Sequence, residues 1–183
     1  MIAVFFAFIQ EVASLKPHVN VSEIIHQLSK YFRIQFMISS GFAGSVNPRI
    51  GVGDLIIGKH VLSSFSEVSE GEIRIDATLT CDASAVELAV KLGSTDSLQL
   101  HCGDILSVDK IIRQSSLKKH IGNQTSAIAV DMESFAIAER ANAMGIPFVV
   151  VRAISDGADE DMEICENMVT RGGRVNISAT ARY

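Results

Sequence analysis

Residues 126–156, "SAIAVDMESFAIAERANAMGIPFVVVRAISD", constrain the fold more than any other part of the chain. Two short apolar runs, "SAIAV" (126–130) and "FVVV" (148–151), flank "MESFAIAERANAMG", whose apolar residues recur at helical spacing. Short β-branched runs read as buried strands. Gly145 stops the helix and Pro147 leads into the second strand. A strand, a helix and a strand in so few residues make an α/β unit.

The same alternation holds along the chain. "IAVFFAF" (2–8), "IQFMIS" (34–39) and "GDLIIGKHVL" (53–62) read as strands, and "SLQLHCGDILSV" (97–108) as one or two more. "VSEIIHQLSKYF" (21–32), with Ser22 as N-cap, and "ASAVELAVKLG" (83–93), closed by Gly93, read as helices. Strands alternating with helices imply an α/β domain with a largely parallel sheet. A length of 183 residues suits one domain, and 48% hydrophobic residues supply its core.

Charge and cysteines narrow the function. A net charge of -5 argues against a nucleic-acid groove. No apolar stretch reaches the roughly 18 residues of a membrane span. "MIAVFFAFIQEVASL" has no basic leader and turns acidic at Glu11, so it reads as a core strand. Cys81, Cys102 and Cys165 are far apart and form no CxxC, which points to free thiols in a reducing cytoplasm.

Open α/β sheets bind ligands beyond the carboxyl ends of their strands. Here four strand ends carry polar or glycine-rich residues: Glu11; the turn Gly41-Phe42-Ala43-Gly44-Ser45; Asp131, Met132 and Glu133; and Arg152, Ser155 and Asp156. Several carboxylates in one cleft cannot all ionise freely, so one can serve as acid and another as base or charge stabiliser. Cleavage of a glycosidic C–N bond needs such a division: a proton for the leaving base, an anion near the sugar cation and a placed nucleophile. Each residue also has a purely structural reading. Asp131, Glu133 and Glu11 can be helix-start acids, and Arg152 an ion-pair partner. Gly41 and Gly44 can simply permit a turn, and Met132 can be core. Asp159, Glu160, Asp161, Glu163 and Glu166 read as a solvated face.

The segment "SAIAVDMESFAIAERANAMGIPFVVVRAISDGADED" resembles the signature half of the nucleoside phosphorylase/nucleosidase superfamily, and most of all its 5'-methylthioadenosine/S-adenosylhomocysteine nucleosidases. "SGFAGSVNPRIGVGDLIIGKHV" and "IAVFFAFIQEV" resemble the family's glycine-turn segment and first strand. The resemblance implies a three-layer α/β/α fold with a central mixed, largely parallel sheet. It implies cleavage of the N-glycosidic bond of a 5'-substituted adenosine, releasing adenine, by hydrolysis. Asp156 would protonate N7 of the purine and Ser155 would orient it. Glu133 would hold the ribose hydroxyls, with Met132 packed on the sugar. Glu11 would activate the attacking water, and Arg152 would support the pocket. Phe42, Ala43, Gly44, Ile111 and Ile112 would line the substrate site. Phe42 stands where nucleosidases often have a small or hydroxyl residue, and Ile111 where they place a purine-stacking Phe.

The resemblance implies neither metal nor redox cofactor, phosphate only as co-substrate of a phosphorylase, a small purine nucleoside as ligand, and a homo-oligomer. Relative to the family, the single domain expected over residues 1–183 is short between residues 13 and 33 and at its C-terminal end. The chain also resembles the hopanoid-associated branch, which acts on adenosylhopane, and the futalosine-hydrolysing branch. A nucleoside-binding module without turnover and a flavodoxin-like regulatory domain are the other classes.

Overall fold

The chain is described by a computed structural model for residues 2–6, 21–64, 68–69, 71–93 and 99–162, with side chains from Glu23 onward. In chain order the elements are β1 (Ile2–Phe6), α1 (Val21–Tyr31), β2 (Phe36–Ser45), β3 (Leu55–Ser64), β4 (Ala77–Thr80), α2 (Ala83–Gly93), β5 (Leu100–Val108), α3 (Ser115–Gln124), β6 (Ala127–Asp131), α4 (Ser134–Ala143) and β7 (Phe148–Asp156). The expected mixed α/β architecture with a central sheet is observed. Helix α2 has the expected bounds and is capped by Asp82, whose Oδ1 accepts from the Ala85 N–H at 2.9 Å. Gly145, at φ +64°, turns the chain after α4 as its sequence position predicts. Ser22 is not an N-cap, because α1 already includes Val21.

Pairing is mixed. β1–β2, β2–β7, β3–β5 and β5–β6 are parallel, whereas β2–β6, β3–β4 and β3–β7 are antiparallel. The pairs β2–β7, β7–β3, β3–β5, β5–β6 and β6–β2 form a closed circuit of five strands, with β1 and β4 attached outside it. Closure leaves none of these five strands as a bare edge.

The larger core joins β2, β3 and β7 (Met37, Ile56, Val150) to Ile25 of α1 and Phe135, Ile137 and Ala141 of α4. A second core gathers Val46, Leu62, Leu106, Ile121 of α3 and Val130. Helices α4 and α3 are thereby fixed against the strands that end in Asp131 and Asp156.

Two expectations about the strands are corrected. Gly41-Phe42-Ala43-Gly44-Ser45 is no turn but the second half of β2. Its glycines keep extended backbone, and the positive-φ glycines among the described residues are Gly53 and Gly145. Arg152 does not follow a strand end, because β7 continues to Asp156.

Candidate active site

Gly44 is the point where the site assembles. It lies opposite Val130 of antiparallel β6 and opposite Asp156 of parallel β7. Strands β6 and β7 therefore approach from opposite directions, and their carboxyl ends meet beside the end of β2. This differs from the single edge of a parallel sheet that the sequence suggested, yet it sets the ends of β6 and β7 on either side of Gly44. A Cβ on Gly44 would stand 2.8 Å from Asp156 Oδ2, so the absent side chain gives the carboxylate its space.

A register shift aims that carboxylate. Ala43 opposes Ile154, but Gly44 opposes Asp156, leaving Ser155 as an extra residue on β7. Bulges of this kind re-aim a side chain at the end of a ladder. Ser155 Oγ contacts Asp156 Oδ1 at 2.7 Å and the Ala43 carbonyl oxygen at 3.3 Å. On the other side Lys118 Nζ, from α3, lies 2.5 Å from Asp156 Oδ2.

Beneath this end of the strands lies a buried polar network centred on Arg152 and Asp131. Arg152 is 0% exposed and donates from Nε to Asp131 Oδ2 at 2.7 Å. Its Nη2 donates to Ser39 Oγ at 2.8 Å and to Ser134 Oγ at 2.7 Å, and its Nη1 to the Val151 carbonyl at 3.2 Å. Asp131 Oδ1 accepts from Ser107 Oγ at 2.5 Å and from the Ser134 N–H at 3.3 Å, and Ser134 Oγ bonds Oδ2. The Phe135 N–H donates to Ser107 Oγ at 2.9 Å. Asp131 thus holds the first turn of α4, the helix-start role open to it from its position. Arg152 joins β7, β2 and α4 as a support, and its donors face protein acceptors rather than a cleft.

Glu133 behaves differently. It stands at the N-cap of α4 and makes no side-chain cap bond there. It is half-buried, and its carboxyl is pushed up to about 7 by burial first and by the neighbouring Asp131 charge second, with Arg152 opposing. With Arg152 bound to Asp131, Glu133 is a carboxyl whose charge can switch near neutrality.

The remaining expected residues divide by environment. Met132 is half-buried between Asp131 and Glu133, and Ala43 is buried beside Ile154. Phe42 and Ile111 are exposed, at 54% and 44%. Ile112 packs into the second core with Ile121 and Val130 rather than standing at the surface. Glu11 and Cys165 lie outside the described residues. Two surface hollows, one bounded by Thr80, Asp82 and Pro147 and one by Asn47, Arg49 and Asn123, include none of Asp131, Glu133, Arg152 or Asp156. Cys81 is buried and its thiol is pushed up to about 12 by that burial, which keeps it unreactive.

Of the acids after Asp156, Asp159, Glu160 and Asp161 are exposed, and Glu163 and Glu166 lie outside the described residues. Lys119 pairs with Asp159 at 2.8 Å, and Asp161 Oδ1 accepts the Ser115 N–H at 2.7 Å, capping α3 from across the structure. That bond holds the Asp161 carboxyl below its ordinary range.

Sequence reasoning missed α3 and with it Lys118. "SSLKKHIGNQ" carries only Leu117 and Ile121 at helical spacing, and nothing in it marks a lysine for burial. It also missed the serines. Ser39, Ser45 and Ser107 are all at most 2% exposed, and a hydroxyl inside an apolar strand run needs a partner, which was the available signal.

Comparison with known proteins places this architecture. Residues 16–181 match the family model described as the phosphorylase superfamily. A 5'-methylthioadenosine/S-adenosylhomocysteine nucleosidase of Buchnera aphidicola is 34% identical over 138 residues, covering 71% of this chain and 58% of the relative. The nucleosidase of the same name from Geobacillus kaustophilus is 32% identical over 142 residues, covering 73% of this chain and 60% of the relative. The chain thus spans about three fifths of the length of these two relatives. Among solved structures, the Campylobacter jejuni nucleosidase of that name superposes with a TM-score of 0.71 at 20% identity, over 89% of this chain and 88% of that one. A Helicobacter pylori futalosine hydrolase mutant gives 0.70 at 20% identity, over 87% and 89%. Matched along nearly its whole length and alike in fold, the chain belongs to the phosphorylase superfamily.

Proposed function

We propose that this protein cleaves the N-glycosidic bond of a 5'-substituted adenosine of the methylthioadenosine/S-adenosylhomocysteine type, releasing adenine by hydrolysis. The observation that carries the reading is the meeting of two strand ends at Gly44, which sets Asp156 near the segment Asp131–Glu133. In this reading Asp156, oriented by Ser155, supplies the proton to purine N7, and Glu133 accepts hydrogen bonds from the ribose hydroxyls. An anionic Glu133 also opposes the positive charge that develops on the sugar. Glu11 activates the water.

The naming of the curated relatives as nucleosidases supports hydrolysis over phosphorolysis. So does the state of the two fully buried cations among the described residues: Arg152 and Lys118 both direct their donors at protein acceptors. A cytoplasmic location, a homo-oligomeric assembly and freedom from cofactors belong to the same proposal. The test is incubation with a panel of 5'-modified adenosines, with and without phosphate, scoring released adenine. Release without phosphate is expected. A strict phosphate requirement overturns the hydrolytic reading, and binding without turnover overturns the enzyme.

A further inference from the structure

Lys118 is 0% exposed, and three acceptors surround its ammonium. They are Asp156 Oδ2 at 2.5 Å, the Gly157 carbonyl at 2.9 Å and the Glu160 carbonyl at 2.9 Å. An ammonium has three N–H donors, so this set uses all of them. Helix α3 and the residues just before it hold the rest of the segment: Ser115 and Lys119 bind Asp161 and Asp159, and the Met162 N–H donates to the Arg113 carbonyl at 2.9 Å. Helix α3 is thus a dock for the chain leaving β7, and Lys118 is the one tie in it that reaches the Asp156 carboxylate.

A buried ion pair is weak evidence for stability, because desolvation offsets most of the attraction and a well-packed apolar side chain often serves as well. What the pair does provide is direction. Ser155 holds one oxygen of Asp156, Lys118 holds the other, and Gly44, having no Cβ, lets the carboxylate come close to β2. Each carboxyl oxygen has capacity for a second partner, so in the acid form of Asp156 one oxygen can carry the proton that purine N7 takes while the Ser155 and Lys118 ties remain.

We propose that Lys118 is a positioning residue for the glycosidic cleavage, acting through Asp156 by fixing its carboxylate against the end of β2. This rests on the nucleosidase reading above. Four proteins are compared by adenine release from 5'-methylthioadenosine: wild type, Lys118→Met, Asp156→Asn and the double variant. Lys118→Met keeps the apolar stem and removes the charge. It is expected to lower kcat about 10- to 100-fold with less than a threefold change in KM, since small misplacements at a reacting centre carry losses of that order. If Lys118 acts through Asp156, the double variant is no slower than Asp156→Asn alone.

If the two losses multiply in the double variant, or Lys118→Met retains full kcat, the positioning role is overturned while the nucleosidase reading stands. If wild type releases no adenine from any tested nucleoside, the reading fails and the inference fails with it. Circular dichroism and melting curves accompany each variant. Should Lys118→Met not fold, Lys118→Arg, which keeps the charge on a longer planar head, runs the same cycle and is expected to show the same non-additive loss.

Discussion

Of the three carboxyl residues in the proposed mechanism, Asp156 and Glu133 lie among the described residues, and their surroundings set them apart. Asp156 is held by a hydroxyl and an ammonium. Glu133 has no side-chain cap bond, and burial beside Asp131 lifts it to about 7. An acid raised in the folded state has a definite sign. Its ionisation opposes folding, so the penalty is absent below its ordinary range near 4.5, grows between there and about 7, and is constant above. Glu133→Gln should therefore melt higher than wild type at pH 8 and match it at pH 4, in paired thermal scans. The same ionisation should appear in turnover. In wild type kcat/KM should rise as the pH passes through about 7, because only the anion accepts both ribose hydroxyls, and Glu133→Gln should lack that limb. Gly44 offers a complementary test. An added methyl would meet Asp156 Oδ2 at 2.8 Å. Gly44→Ala is expected to lose activity at least 10-fold while overpacking costs about 1–3 kcal/mol, read by denaturant titration. Unchanged kcat would show that the carboxylate does not need that space.

Elements decide which residues can meet. Strand β7 was legible in part: "FVVV" announces a buried strand, and Arg152 marks a polar interruption. That the strand runs on through Arg152 to Asp156 was not legible, because local propensity does not favour a buried arginine. Its side-chain acceptors come from β2, β6 and α4, all distant in sequence. The glycine segment was misread for a related reason. Glycines suggest turns, whereas here Gly44 answers to the close approach of another strand, a requirement visible only after pairing. Helix α4 was well read, since its apolar spacing and Gly145 agree with its burial. Helix α3 was not, having a mostly polar face and a burial set by Lys118. The Arg152–Asp131 pair gives the element-scale prediction. Arg152→Met leaves Asp131 buried and unpaired, which typically costs about 3–5 kcal/mol. Chemical denaturation should show a loss of that size, and a variant as stable as wild type would mean that β7, β2 and α4 are held together without the network.

At the scale of the whole molecule, the closed circuit β2–β7–β3–β5–β6 explains how a mixed sheet can gather a site that a parallel sheet would place at one edge. Strand β6 enters from the direction opposite to β7 and stops at the same glycine. The alternation of strands and helices made the α/β class legible, and the "VDMES" and "RAISD" segments pointed to the family. Ring closure was not legible, because antiparallel contacts such as Leu55 with Ala153 join strands nearly a hundred residues apart and leave no local trace. The central claim is that this arrangement makes Asp156 the proton donor to a leaving adenine. It is tested most directly by measuring adenine release from 5'-methylthioadenosine, without phosphate, by wild type and Asp156→Asn side by side. The account predicts turnover by wild type and a fall of roughly 10²–10⁴-fold in kcat for Asp156→Asn at unchanged fold. Near-full turnover by Asp156→Asn would contradict it.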